Sequence, residues 1–318
     1  MPPSEIREAT GTRRPRFIRA PTSELCLTPR DLDLVRAVAV HRFLRSTHLI
    51  ALSEGSPQKI LRRLNLLYHH AYLDRPRLQL DFYERGSEPM IYALGNRGAD
   101  LLASHDGTPK ARVNWGSKNR SATRAFLKHT LLISDLMVGM ELGCRALGEV
   151  RLIPSAEILS HAPQEIRNRR QPLGWRVRLR EGREALDLGL VPDQVFGLRF
   201  ENEPEGRNRA FFFLEADRGS MPLVRSGLLQ TSVYRKLLSY AETWRQGLHT
   251  ARFGIRHFRV LTVTTSPERV RHLLKVTERL HEGGAPLFLF TDCGSLLSGN
   301  PLTHPWVNGL GELTRLID

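Results

Sequence analysis

The apolar positions of the first hundred residues recur at helical spacing and stop at turn residues. Thr28 is a good N-cap, Pro29 fits a first helical turn, and Asp31 and Asp33 suit its positive end. Leu32, Val35, Ala39 and Phe43 then follow along one face. Ser46 or Thr47 caps a second short helix through Leu52. Ser56-Pro57 opens a third, in which Ile60, Leu61, Leu64, Leu67 and Tyr68 form the inward face while Gln58, Lys59, Arg62, Arg63, Asn65 and His69 look outward. From Leu73 to Leu94 the pattern reads as a strand, a tip at Arg85-Gly86-Ser87 and a returning strand. Asn96 then caps a closing helix containing residues 99–103.

Three helices, a hairpin and a closing helix over residues 25–104 predict a winged helix-turn-helix. Its third helix would enter the major groove of double-stranded DNA, with Gln58, Lys59, Arg62 and Arg63 near bases and phosphates. Arg75, Arg77 and Arg85 on the wing would take phosphates or the minor groove. A winged helix used only for protein contacts is the alternative, its basic residues then being a solvated face.

Two polar stretches flank this region. Residues 1–24 contain TRRPRFIR, a Pro-broken basic run that reads as a disordered arm. Residues 105–123, rich in Gly, Ser and basic residues, read as a linker. Beyond it, residues 125–147 form a long apolar helix, followed by strands near 150–153 and 175–179. Two apolar runs then come as a pair, Leu188–Val191 leading into Pro192-Asp193 and Phe211–Leu214 leading into Glu215-Ala216-Asp217. An amphipathic helix over 226–247, a β-branched strand over 258–265, a helix opened by Ser266-Pro267 and a strand over 286–291 follow. The fold class expected is therefore α+β or α/β, with an αβββαβ domain over residues 124–318.

Composition sharpens the partner. The 318 residues hold 47 Lys+Arg against 33 Asp+Glu, a net charge of +14, which favours nucleic acid as ligand over an anionic membrane. Three widely spaced cysteines, with no C-x-x-C, argue for a reducing cytoplasm and against a zinc site or disulfide framework. No apolar run is long enough to span a bilayer.

The candidate chemistry lies in the paired apolar runs. Carboxylates delivered side by side by neighbouring strands repel one another, and a Mg²⁺ ion would relieve that repulsion and activate water on a phosphate. The layout of PD, an intervening hairpin and an acid after an apolar strand resembles the PD-(D/E)xK nuclease superfamily, whose domain is restriction-endonuclease-like. In that reading Asp193 and Glu215 hold the metal, Asp217 is an extra ligand, and Lys236 on the following helix replaces the lysine the pattern wants where Asp217 stands. Glu141 would complete the acidic cluster, unless it pairs with Arg145 one turn on. Asp193, Glu215, Asp217 and Lys236 are thus the candidate catalytic residues. The alternative is that the missing lysine has left a DNA or protein platform without catalysis.

A broader resemblance spans residues 27–292. LTPRDLDLVRAVAVHRFL, LDRP and YALGNRGADLL are similar to the front half of the replication-relaxation family, and VPDQVFGL, FFFLEADRGSMP and S-x-Y-R-K-L-x-x-Y to its second half. The resemblance implies a role in plasmid replication or DNA relaxation, with plasmid replication or relaxase proteins as partners. A homodimer is compatible with it.

Overall fold

A computed structural model gives the fold and describes residues 17–20, 24–82, 88–108, 113–181, 184–280, 285–297 and 299–317. The chain divides into two units, residues 1–130 and 131–318. Both are built of helices and strands, and the second carries a mixed sheet.

The first unit runs α1 (Pro29–His41), β1 (Phe43–Arg45), α2 (Ser46–Leu52), α3 (Pro57–His69), β2 (Leu73–Asp74), β3 (Ile91–Leu94), α4 (Asn96–His105) and α5 (Trp115–Arg120). The three strands form an antiparallel sheet in the order β1-β3-β2. Leu34, Val35 and Val38 of α1 and Ile60, Leu64 and Leu67 of α3 are buried, and each such side chain contributes about 1.5–3 kcal/mol. Two inward–outward assignments reverse: Leu61 is 42% exposed, whereas His69 is buried. The stretch 105–123, expected as a linker, carries α5. Its Asn119 is buried and donates to the Leu94 carbonyl and to Asp74. The expected basic arm and the wing tip, including Arg85, fall largely or wholly outside the described residues.

Gly95 and Gly98 fix the approach of α4 to the loop after α3. A Cβ on Gly95 would lie 2.2 Å from the Ala71 carbonyl oxygen, and one on Gly98 would lie 2.2 Å from that of Tyr72. Only glycine lets the two backbones come this close.

Helix α6 (Arg124–Leu147) leads into the second unit. Next come β4 (Val150–Ile153), α7 (Ser155–Ser160), α8 (Gln164–Arg167), β5 (Trp175–Glu181) and β6 (Glu184–Leu190). They are followed by β7 (Gln194–Phe200), β8 (Arg209–Ala216), α9 (Val233–Arg245), α10 (Leu248–Phe253), β9 (Arg259–Thr264), α11 (Pro267–Thr277), β10 (Phe288–Asp292), α12 (Cys293–Leu296), β11 (Trp306–Asn308) and β12 (Leu313–Thr314). Seven strands form one sheet in the order β12-β11-β10-β9-β8-β7-β4, with β8, β9 and β10 parallel and the remaining neighbours antiparallel. Side chains alternate across this sheet. Phe212, Leu214, Leu261 and Leu289 pack with Leu136, Met137 and Met140 of α6. Phe213, Val260 and Phe288 pack on the other face with α9, α11 and the β5–β6 hairpin.

The pairing differs from expectation at one point that matters for the site. The apolar run before Pro192-Asp193 belongs to β6, which pairs with β5 in a separate two-stranded sheet. The partner of β8 is β7, the QVFGLRF stretch after Asp193. Gly197 obscures this strand in the sequence, and its missing side chain admits the Phe211 ring, which a Cβ would meet at 2.9 Å. Among the described residues no helix is long and apolar enough to cross a membrane.

Candidate functional site

Helix α3 presents Gln58, Lys59 and Arg62 to solvent. Its start is fixed by Ser56, whose side chain accepts from the Lys59 amide, and by Pro57 in the first turn. Arg63 is placed otherwise. Its Nε donates to Oδ1 of Asp31 at 2.9 Å, and its Nη2 donates to Oδ2 of the same carboxylate and to the Cys26 carbonyl. The Asp31 side chain is fully buried and also accepts from the Thr28 amide and hydroxyl at 2.7 and 2.8 Å. Burial works against its charge, yet the bonds from Arg63 and Thr28 hold its carboxyl below the usual range. Arg63 thus clamps α3 to the start of α1 and is part-buried rather than fully outward.

Arg75 also departs from the wing reading. It is 8% exposed, lies over the Tyr68 ring at 4.1 Å, and donates to Asn65 and to the Tyr92 hydroxyl. It packs α3 against the small sheet, whereas Arg77 is exposed.

The carboxylates of the second unit do converge. Continuing the β7–β8 register, in which Gln194 faces Leu214, sets Asp193 opposite Glu215. The Asp193 amide donates to the Leu214 carbonyl, and Asp193 Oδ2 accepts from the Ala216 amide at 2.8 Å. Glu215 is 5% exposed. Its Oε2 takes the Lys236 ammonium and its Oε1 takes the Tyr240 hydroxyl. These two residues are one turn apart on α9, a spacing that puts both on one helical face. Ser232 caps this helix by accepting from the Arg235 amide.

Asp217 shares the face of Glu215 but belongs to another cluster. Its Oδ2 accepts from Arg269 Nε at 2.8 Å and from the Thr264 hydroxyl at 3.0 Å, and its Oδ1 accepts from the Gly219 amide at 3.0 Å. Arg269 and Thr264 had no signal in the sequence beyond lying after the acidic stretch. Tyr240 was visible as part of an amphipathic helix and as the last residue of S-x-Y-R-K-L-x-x-Y, without a role. Glu141 pairs with Arg145 at 2.6 Å.

Burial pushes the Glu215 carboxyl up to about 8, against the pull of Lys236 and with a further push from Asp193. Lys236 is raised as well: burial opposes its charge, but Glu215 and then Asp193 outweigh it. The Tyr240 phenol is held protonated by burial beside Glu215.

Residues 35–257 match the replication-relaxation family. The chain belongs to that family. No curated protein and no solved structure matches it. Within this replication-relaxation protein, three of the quoted stretches meet at one place. VPDQVFGL supplies Asp193, FFFLEADRGSMP supplies Glu215, and S-x-Y-R-K-L-x-x-Y supplies Lys236 and Tyr240.

The donor set does not fit a resident Mg²⁺. Such an ion needs near-octahedral oxygen ligands, two of which the carboxylates of Asp193 and Glu215 would supply. Here a cation and a hydroxyl occupy both oxygens of Glu215, and Arg269 holds Asp217. Among the described residues no group of three His, Cys, Asp or Glu side chains is arranged for a metal.

Proposed function

We propose that this replication-relaxation protein binds double-stranded DNA of a plasmid or other mobile element and serves that element's replication or relaxation. The observation that carries the reading is the outer face of α3. Gln58, Lys59 and Arg62 stand exposed on a helix whose opposite side is buried and whose Arg63 is clamped to Asp31. Helices α1–α3 with the small sheet support a winged helix, and the +14 charge supports a polyanionic ligand. The test is anisotropy of a fluorescent duplex across a salt series. Q58A/K59A/R62A removes two cations, so the salt slope should fall by about 1.8 if both contact phosphate. An unchanged affinity and slope would remove α3 from the interface.

We read the second unit as a nuclease-like platform without metal chemistry. The order α6-β4-β7-β8-α9-β9 within the main sheet supports kinship with the αβββαβ core. The occupied oxygens of Glu215 support the loss of catalysis. One observation favours a Mg²⁺-dependent nuclease or nickase instead: Lys236 reaches Glu215 from α9, the place expected of a substitute lysine. Supercoiled plasmid incubated with protein and Mg²⁺ or Mn²⁺ decides between them. Nicked or linear product that disappears in Asp193→Ala and Lys236→Ala would establish the nuclease.

A further inference from the structure

At the opposite end of β8 and β9 from Glu215 lies a cavity of about 900 Å³. Its position follows from the sheet. Strands β8 and β9 are parallel, with Phe212 in register with Arg259, so β8 begins three residues before β9. Arg209 opens β8 and Arg259 opens β9, and both are exposed. Arg207 from the β7–β8 turn and Arg315 near the end of the chain complete a basic rim. Among the described residues none of these four arginines is ion-paired, although Arg209 is near enough to Glu157, itself paired with Arg151, to help hold that carboxyl low. Arg245 and Glu242 also line the cavity, paired with each other at 2.6 Å.

The wall is aromatic. Trp244 keeps 39% exposure while its ring stacks on His249 at 5.1 Å with an interplanar angle of 4°. Phe258 meets Trp244 edge-on at 5.5 Å, so the indole is braced by its neighbours. Phe211 contributes to the apolar floor.

We propose that this groove binds single-stranded DNA, its arginines on phosphates and Trp244 as a stacking surface for a base. Exposed arginines fit phosphate oxygens in bidentate fashion. An aromatic ring beside them is what sequence-tolerant binding of unpaired bases requires. A cavity of this size takes a drug-sized group such as one nucleotide, and a base still paired in a duplex cannot present its face to Trp244. Replication or relaxation of a duplex exposes such strands, so the inference extends the proposed function. It rests on different residues from α3, so the two readings fail separately.

The test uses the full chain, with fluorescein-labelled oligo(dT), oligo(U) and a mixed-sequence duplex as anisotropy probes at low salt. Arg209→Ala/Arg259→Ala should weaken oligo(dT) at least about tenfold, since each lost phosphate contact also removes counterion release. Trp244→Ala should weaken it by about five- to a hundredfold, the range of one stacked base. Duplex binding should persist in both. Both arginines are exposed, so circular dichroism and the melting temperature should stay at wild-type values. Arg207→Ala/Arg315→Ala is the second variant, with the same expectation. Wild-type oligo(dT) affinity in both arginine pairs would overturn the proposal. So would loss of oligo(dT) binding in Q58A/K59A/R62A with no loss in the groove variants. Tighter binding of oligo(U) than of oligo(dT) would overturn the assignment to DNA.

Discussion

Arg63→Ala separates a folding role from a DNA-contact role on the same helix. The substitution leaves the Asp31 carboxylate fully buried with only Thr28 as donor. Removing one partner of a buried ion pair costs about 3–5 kcal/mol when nothing compensates. Two Thr28 bonds remain here, and Arg63 is 23% exposed, so water can approach the vacated side. The expected loss is therefore about 2–3 kcal/mol. For a unit of this size that lowers its melting temperature by roughly 10–20 °C. Hydrogen exchange of α1 and α3 amides, read beside thermal unfolding, localises the effect. Arg62→Ala is the control and should stay within about 0.5 kcal/mol of wild type. The pH dependence gives a second readout. The Asp31 carboxyl is held below its ordinary 3.8, so its contribution is present above that pH and is lost as pH falls through the lower folded value. In Arg63→Ala that acid-side loss should shrink. Weakened DNA binding with unchanged unfolding and exchange would refute the clamp and return Arg63 to the DNA-facing surface.

The Glu215 carboxyl, raised from 4.5 to about 8, retains a proton in the folded state that the unfolded chain releases, so stability should fall as pH rises through that interval. Urea midpoints at acidic and mildly basic pH should show this decline, and Glu215→Gln should flatten it. A wild-type midpoint rising across the interval would mean that Glu215 is ionised throughout. Gly98→Ala should destabilise the first unit by about 1–3 kcal/mol or more, because its Cβ would sit 2.2 Å from a backbone oxygen that cannot turn away; unfolding at the wild-type temperature would show that α4 shifts freely. Since Lys236 and Tyr240 occupy Glu215, saturating Mg²⁺ should change the melting temperatures of wild type and Asp193→Ala equally, and a rise confined to wild type would restore a metal site.

Local chemistry made the first unit's helices legible. Thr28, Ser56 and the prolines after them mark helix starts, and the apolar spacing of α3 placed Ile60, Leu64 and Leu67 correctly. The spacing could not say which basic residues stay in solvent. Arg63 and Arg75 are long chains beside a buried acid and two tyrosines, and those partners come from residues distant in sequence. Tertiary pairing likewise decided which strand meets β8. Leu188–Leu190 and Val195–Leu198 are both short apolar runs beside Asp193, and only the sheet register distinguishes them. Asp193 and Glu215 nevertheless face each other as the sequence suggested, because Asp193 sits at the junction of the two runs and remains next to β8 under either pairing.

The acidic strand ends of the second unit pose one physical problem, and the chain answers it internally. Asp193, Glu215 and Asp217 lie on one face, where ionised carboxylates would repel. A divalent cation is one remedy, and its ligands must then be open to water and substrate. The second unit instead supplies Lys236 from α9, Arg269 from α11 and the Ala216 amide from β8 itself, and it buries Glu215 beneath Tyr240. The two cationic donors come from helices packed on that face for hydrophobic reasons, through Leu237 on α9 and Val270 and Leu273 on α11. The polar cluster is therefore tied to the packing of the core, and a bound ion would have to displace an ammonium held by that packing. This coupling favours a structural role for the acids and, under the proposed function, leaves nucleic acid to the exposed arginines on α3 and at the opposite end of the sheet.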